Sequence, residues 1–149
     1  MRTFNSMKEF KAYADEISKT YKYGFTISEY NEDFSIDVDG HVRLHEQNLT
    51  ELPIKFNIVT RNFVCHYNQL TSLKGCPKYV GENFCCNNNQ LTSLKGCPVH
   101  VSYFECSNNQ LTSLKGCPKI IRGNWRIEDK YKSYPEYQKY LLVKKIEAL

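Results

Sequence analysis

The decapeptide Asn-Gln-Leu-Thr-Ser-Leu-Lys-Gly-Cys-Pro occurs three times without a change, at residues 68–77, 89–98 and 109–118. The copies begin 21 and then 20 residues apart, and a degraded copy, Leu49-Thr50-Glu51-Leu52-Pro53, has its first leucine 21 residues before Leu70. A fixed period in this range is typical of a solenoid, in which each repeat forms one coil and stacks on the next. Solenoids commonly present a surface to a partner, so the repeat predicts a fold class and a binding function together.

The bulk composition is that of one globular domain. The chain has 149 residues, of which 41% are hydrophobic and 24% are charged, so it can build a core and is not expected to be disordered. The chain contains no apolar run of about 18 residues, the length that a membrane-spanning helix needs. Residues 1–8 lack the apolar stretch of a secretion signal. We therefore predict a single cytoplasmic domain, residues 1–149. The net charge of +4 is too small to indicate a class of partner.

The cysteines follow the repeat, and only Cys85 falls outside it. The other six occupy two repeat positions, which are Cys65, Cys86 and Cys106, and Cys76, Cys97 and Cys117. Recurrence at equivalent positions favours two columns of small buried thiols in a reducing compartment. Disulfides and a metal cluster are the alternatives, but no pair has the Cys-x-x-Cys spacing of a zinc site. No cofactor is expected.

A short strand is predicted in each repeat. In a strand, successive side chains point to opposite faces, so in Phe84-Cys85-Cys86 the first and third side chains point inward and the second points outward. The matching triplets begin at Val42, Phe63, Phe104 and Trp125. Stacked at roughly 4.8 Å, the five triplets form a short parallel sheet.

The segments after each strand predict a turn and a return leg. Asn68, Asn89 and Asn109 recur at the turn, where a buried amide can satisfy the backbone of its own coil and of the neighbouring coil. The following Leu-Thr-Ser-Leu-Lys-Gly-Cys-Pro contains a glycine that permits positive φ and a proline that blocks a helix. We therefore expect extended or 3₁₀-like return legs rather than long helices.

The repeat unit resembles the leucine-rich repeat, and the tandem decapeptides are similar to those of short leucine-rich repeat proteins of tailed phages and bacteria. The resemblance covers about residues 35–127, although one extra residue precedes the strand and aromatic residues and cysteine replace two of the usual leucines. It implies an α/β solenoid whose sheet has a concave binding face. It also implies a phage protein that modulates a host factor, but no specific activity.

The two ends differ from the repeats and are predicted to be caps, at residues 1–34 and 128–149. Ser6-Met7-Lys8-Glu9 reads as a capping box that starts a helix, with Gly24 as its stop. Asp39-Gly40 predicts a hairpin that leads into the first repeat strand. Ser133-Tyr134-Pro135-Glu136 reads as a second capping box, which opens a helix to about residue 148.

The outward positions of the predicted sheet are the candidate binding site, because they vary while the decapeptide does not. Tyrosine and arginine dominate energetic hot spots of interfaces. The candidate protein-binding residues are Arg43, Tyr67, Tyr103, Glu105 and Arg126. Solvated positions without a partner are the plainer interpretation of the same variation.

Other chemistries have weaker support. Lys74, Lys95 and Lys115 form a row that could follow a phosphate backbone, so nucleic-acid binding is the alternative function. His41, His45 and His66 could approach one another as metal ligands, and Cys85 near His66 could be a nucleophile. Neither set has the further groups that a metal site or a catalytic thiol needs, and no nucleotide-binding or hydrolase motif is present. The sequence therefore predicts a non-enzymatic protein-interaction module, with its partner and oligomeric state open.

Overall fold

Each repeat folds into one coil of a parallel β-solenoid, and a helix lies at each end of the stack. The computed structural model describes residues 1–149. Its elements in chain order are α1 (Met7–Thr20), β1 (Thr26–Tyr30), β2 (Ser35–Asp39), β3 (Val42–Arg43), β4 (Lys55–Val59), β5 (Phe63–Val64), β6 (Tyr79–Val80), β7 (Asn83–Cys85), β8 (His100–Val101), β9 (Tyr103–Glu105), β10 (Ile120–Ile121), β11 (Trp125–Arg126), a 3₁₀ turn (Asp129–Tyr131) and α2 (Pro135–Glu147). The solenoid prediction is confirmed in this form.

The predicted parallel sheet of five strands is present, and we call it sheet B. Its order is β11-β9-β7-β5-β3, with Phe63 opposite Phe84, and Phe84 opposite Phe104. The first and third residues of each predicted triplet are buried, whereas Cys85 and its equivalents are partly or largely exposed. The period-two reading of these triplets is therefore confirmed.

A second sheet, sheet A, lies beside the first and was missed by the sequence analysis. It has six strands in the order β1-β2-β4-β6-β8-β10, of which only β1 is antiparallel to its neighbour. The segments before the sheet B strands are therefore strands themselves rather than plain connections. Gly81-Glu82 forms the corner between the two sheets in one coil, and Ser102 alone does so in the next. The 20-residue step of the sequence arises at this shorter corner.

The predicted hairpin about Asp39-Gly40 is wrong. β2 pairs antiparallel with β1, so the hairpin turn lies at residues 31–34. β2 also pairs in parallel with β4 of sheet A, while β3 pairs with β5 of sheet B. Asp39 is the last residue of β2, and Gly40-His41 forms the first corner between the sheets, where Gly40 has a φ of 107°.

One continuous hydrophobic core runs along the solenoid axis. A column of phenylalanines stacks from coil to coil, with ring centroids of Phe63 and Phe84 5.9 Å apart and those of Phe84 and Phe104 5.8 Å apart. Trp125 continues the column 5.5 Å beyond Phe104. The decapeptide leucines are buried beside it. All seven cysteines are free thiols, and Cys65, Cys86 and Cys106 form a fully buried column.

The recurring asparagines form a hydrogen-bonded column that links the coils, as predicted. The Nδ2 atom of Asn89 donates to the carbonyls of Cys65 and Cys86 at 3.0 and 3.1 Å, and its Oδ1 atom accepts from the Leu70 amide at 3.0 Å. Asn68 and Asn109 make the equivalent contacts. Each amide therefore satisfies backbone groups of two coils, which would otherwise be buried without partners.

The end helices begin in different ways. Ser6 caps α1 by accepting from the Glu9 amide at 3.2 Å, although the Glu9 carboxylate accepts from Asn5 rather than from Ser6. At α2 the predicted capping box is wrong, because Tyr134 is the N-cap and makes no side-chain cap bond, while Pro135 begins the helix. Neither helix is long and apolar enough to cross a membrane.

Candidate functional site

The outer face of sheet B carries the outward side chains of five successive coils. Three columns run across it, one residue per coil, and the strand pairing keeps successive coils in register. The columns are His41, Asn62, Asn83, Tyr103 and Asn124; Arg43, Val64, Cys85, Glu105 and Arg126; and His45, His66, Asn87, Ser107 and Glu128. The face is mixed in character, since aromatic, charged and amide side chains alternate along it.

A carboxylate cluster occupies the C-terminal half of this face. The Tyr103 hydroxyl donates to Glu105 at 3.0 Å, and the Ser107 hydroxyl donates to its other oxygen at 3.3 Å. Arg126 lies 3.6 Å from the same carboxylate, and the Glu105 side chain is only 16% exposed while that of Arg126 is 73% exposed. Burial and the hydrogen bond to Glu105 raise the pKa of the Tyr103 hydroxyl. The cluster therefore holds a fixed carboxylate beneath an exposed guanidinium.

An aromatic stack occupies the N-terminal half of the face. Tyr23, which follows α1, stacks on His45 with ring centroids 5.0 Å apart, and His45 stacks on His66 at the same distance. Tyr67 meets His66 edge to face at 5.1 Å. Arg43 is exposed on the strand that precedes His45. The predicted residues are thus divided, because the structure brings Tyr103, Glu105 and Arg126 together, places Tyr67 in the stack and leaves Arg43 exposed on β3.

Tyr67 has a backbone conformation that is costly for its residue type. It sits at the turn after β5 with a φ of 52°, and the same turn of the next two coils uses Asn88 and Asn108 at 53°. Asparagine tolerates the left-handed region better than a bulky side chain does. The Tyr67 side chain is also 55% exposed, so it buries little surface in exchange for this strain.

The histidines add a second cost in the same region. The Nδ1 atoms of His45 and His66 are buried without a hydrogen-bond partner, as is the Oδ1 atom of Asn87 in the same column. Burial, and then the neighbouring His45, lower the pKa of His66, although Glu105 and Glu46 oppose the shift. Native structures leave few buried polar atoms unpaired, so such a group invites a functional explanation.

We predict that Tyr67→Asn stabilises the fold. The new residue would match Asn88 and Asn108, whose side chains already bond to each other at 3.1 Å, and it would relieve the strain of an aromatic residue at positive φ. The expected gain in the free energy of unfolding is about 0.5–1 kcal/mol, measured by urea denaturation. Tyr67→Phe is the control, because it keeps the strain and should change stability little. A loss of stability in the asparagine variant would contradict this account of the turn.

We also predict that stability falls as the pH drops below about 6.5, the ordinary pKa of histidine. Because the pKa of His66 is lowered in the folded protein, the unfolded chain binds the proton more readily, and acidification favours unfolding. The contribution is fully present above pH 6.5 and is lost as the pH falls through the folded pKa. His66→Asn, which copies Asn87 of the next coil, should flatten the stability profile between pH 5 and 7. An unchanged profile in thermal unfolding would exclude His66 as its source.

The fold assembles neither a metal site from the predicted histidines nor an activated thiol at Cys85. His41 is not part of the histidine stack, since its Nδ1 atom accepts from the Asn62 amide at 3.4 Å, and no three metal-binding side chains converge. Burial, and then the charge of Glu105, raise the pKa of the Cys85 thiol to about 12. A thiol that is protonated at neutral pH is a poor nucleophile.

An exposed apolar row on sheet A was missed by the sequence analysis. Ile58, Tyr79, His100 and Ile120 are in register on four successive strands, and Ile58, Tyr79 and Ile120 are 37–47% exposed. The signal was present in the sequence, because buried Val59, Val80, Val101 and Ile121 directly follow these residues. Repeated pairs of one outward and one inward residue could have indicated the second sheet.

The outer face of sheet B offers hydrogen-bonding and aromatic groups on five successive coils. Its donors and acceptors are fixed on a rigid sheet at coil spacing, which suits recognition of another polypeptide surface. Comparisons of this chain with protein-family models, curated proteins and solved structures give no match. Its function is therefore inferred from the side chains of the face.

Proposed function

We propose that this protein is a non-enzymatic interaction module that binds a partner protein on the outer face of sheet B. The observation that carries the proposal is the left-handed conformation of the exposed Tyr67. The next two coils use asparagine at the same turn and the preceding coil uses Glu46 at a φ of 57°. The aromatic Tyr67 therefore costs stability there without adding to the core. Strain of this kind is commonly retained where a side chain serves a partner.

The remaining candidate residues support the same face. Exposed Arg43 and Arg126 lie at opposite edges of sheet B, and Tyr103 holds Glu105 between them in space. Arginine and tyrosine bury large areas on binding while satisfying a polar group, and therefore dominate hot spots. The fixed Glu105 carboxylate suits a basic side chain of the partner, which would replace or join Arg126.

We further propose that the coils are leucine-rich repeats of the short phage and bacterial type. Support comes from the spacing of the leucines and from the asparagine column, although aromatic residues and cysteine replace two leucines of that pattern. On this proposal the protein acts in the cytoplasm and modulates a host factor. The raised pKa of Cys85 supports a role without catalysis.

The proposal is tested by affinity capture with variants from each half of the face. The baits are the wild type, Tyr67→Asn for the aromatic stack, and Arg126→Ala for the carboxylate cluster. Loss of a hot-spot residue should reduce the captured partner about tenfold or more, while thermal unfolding shows that each bait is folded. Lys95→Ala on the return leg is the matched control and should capture as the wild type does. A partner retained equally by all four baits would remove the face from the binding site.

Nucleic-acid binding is the second candidate function, because the lysine row lies on the surface of the protein. Lys74, Lys95 and Lys115 are exposed at one position of successive return legs, and none forms an ion pair. Three phosphate contacts predict a slope of about −3 in log affinity against log salt. Fluorescence anisotropy with labelled DNA measures this slope, and the triple Lys→Gln variant should abolish it. No binding at low salt would remove this candidate.

A further inference from the structure

Helix α2 leaves most of its apolar side chains outside the fold. Tyr137 and Tyr140 pack on Trp125 with centroids 5.2 and 5.8 Å away, and Lys144 donates to the Arg122 carbonyl. These contacts share one side of the helix, because their spacing is three and four residues. The side that faces away carries Leu142 and Ile146, which are 58% and 61% exposed, and Val143, at the edge next to the last coil, is 43% exposed.

A groove lies between α2 and the last coil, with a volume of about 550 Å³. Its apolar lining includes Ile120, Trp125 and Val143. The groove therefore joins the apolar row of sheet A, which ends at Ile120, to the exposed side of the helix. Its charged lining residues are two of each sign, which are Lys119, Lys139, Glu136 and Glu147.

The charges around Val143 are arranged symmetrically. Lys139 lies four residues before Val143 and Glu147 lies four residues after it, so all three share one strip of the helix surface. In an antiparallel pair of such helices with Val143 at the two-fold axis, each Lys139 faces the partner's Glu147. Glu147 now contacts Lys144 at 2.5 Å but is 56% exposed, and an exposed ion pair of this kind is weak enough to rearrange.

We propose that a second copy of this chain docks on the groove and the exposed side of α2, forming a two-fold symmetric dimer. A strongly acidic or basic partner would meet like charges on this rim, whereas a second copy matches both signs at once. Val143 and the apolar lining of the groove supply the buried centre that an isologous interface needs. The dimer leaves the outer face of sheet B free, so it is independent of the function proposed above.

Sedimentation velocity on the full chain under reducing conditions tests the proposal. Concentrations up to about 200 μM are appropriate, since interfaces below ~1,200 Å² belong to the weak class. We expect the wild type to dimerise, and Lys139→Glu or Glu147→Lys each to weaken self-association about tenfold, because each change places like charges at both symmetric contacts. A mixture of the two variants should form heterodimers with affinity close to that of the wild type.

Lys145→Glu is the matched control, because it makes the same charge change outside the groove, and it should dimerise normally. Circular dichroism shows whether each variant keeps its helices. A wild type that stays monomeric at every concentration overturns the proposal, including the case in which the groove binds another protein. Failure of the mixed variants to associate would also overturn the antiparallel arrangement.

Discussion

Replacing Asn89 by alanine is expected to destabilise the protein by about 3–5 kcal/mol. The substitution would leave the Leu70 amide and the carbonyls of Cys65 and Cys86 in the core without the partner that they now share. Each buried polar group left unsatisfied costs about 1–3 kcal/mol, and the whole stability of a domain is about 5–15 kcal/mol. Urea denaturation monitored by circular dichroism measures the loss.

Gln90→Ala is the control for this prediction, since Gln90 is the exposed neighbour of Asn89 and its loss should change the free energy of unfolding by less than about 0.5 kcal/mol. Asn89→Asp is a second informative variant, because its carboxylate can still accept from Leu70 but cannot donate to the two carbonyls. It should be as damaging as alanine or worse. Equal stability of all variants would show that the asparagine column does not contribute to the free energy of unfolding.

Gly81→Ala is expected to cost about 3 kcal/mol, although alanine is only one methyl group larger. A Cβ atom at this corner would lie 1.9 Å from the carbonyl oxygen of Thr60. The obstacle is backbone of the adjacent coil rather than a flexible side chain, so the two coils must separate to admit the methyl group. Overpacking of this kind commonly costs 1–3 kcal/mol, and here it falls where two sheets meet.

Gly40→Ala separates steric contact from backbone strain. Gly40 has a φ of 107°, but a Cβ atom there has no atom within 4 Å. The expected loss is about 1 kcal/mol, which is the cost of an L-residue at positive φ alone. If thermal unfolding shows Gly40→Ala to be the more damaging of the two, then close approach between coils is not what requires glycine at the corner.

The features that were predictable from the sequence are those that depend on a repeated side chain. The buried Phe84 and Cys86 and the hydrogen-bonded Asn89 recur at a fixed period, and their roles follow from alternation and from the need to pair buried backbone. Sheet A was not predicted, because a strand such as Tyr79–Val80 shows its outward and inward residues only when the segments between the decapeptides are compared from coil to coil. Asp39-Gly40 was misleading because the same dipeptide suits a hairpin turn and the entry to a corner between sheets.

The candidate site was predictable as a surface but not as an arrangement. Registering the repeats placed Glu105 and Arg126 on adjacent strands, whereas the stacking of Tyr23 on His45 joins residues from a cap and a coil and left no periodic signal. The left-handed conformation of Tyr67 could have been inferred from the sequence, because Asn88 and Asn108 stand directly before the column asparagines at the equivalent turns. Asparagine at such a position indicates a left-handed residue.

The identity of the decapeptides has a consequence for how the protein can change over generations. Each copy occupies the same part of its coil, from the column asparagine to the proline before the next sheet A strand. Recombination between two copies would therefore insert or delete one whole coil and keep both sheets in register. The number of side-chain columns on either face would stay constant, and each column would gain or lose one residue. A single recombination event could therefore lengthen or shorten the recognition surface of the protein while the packing of its core is kept.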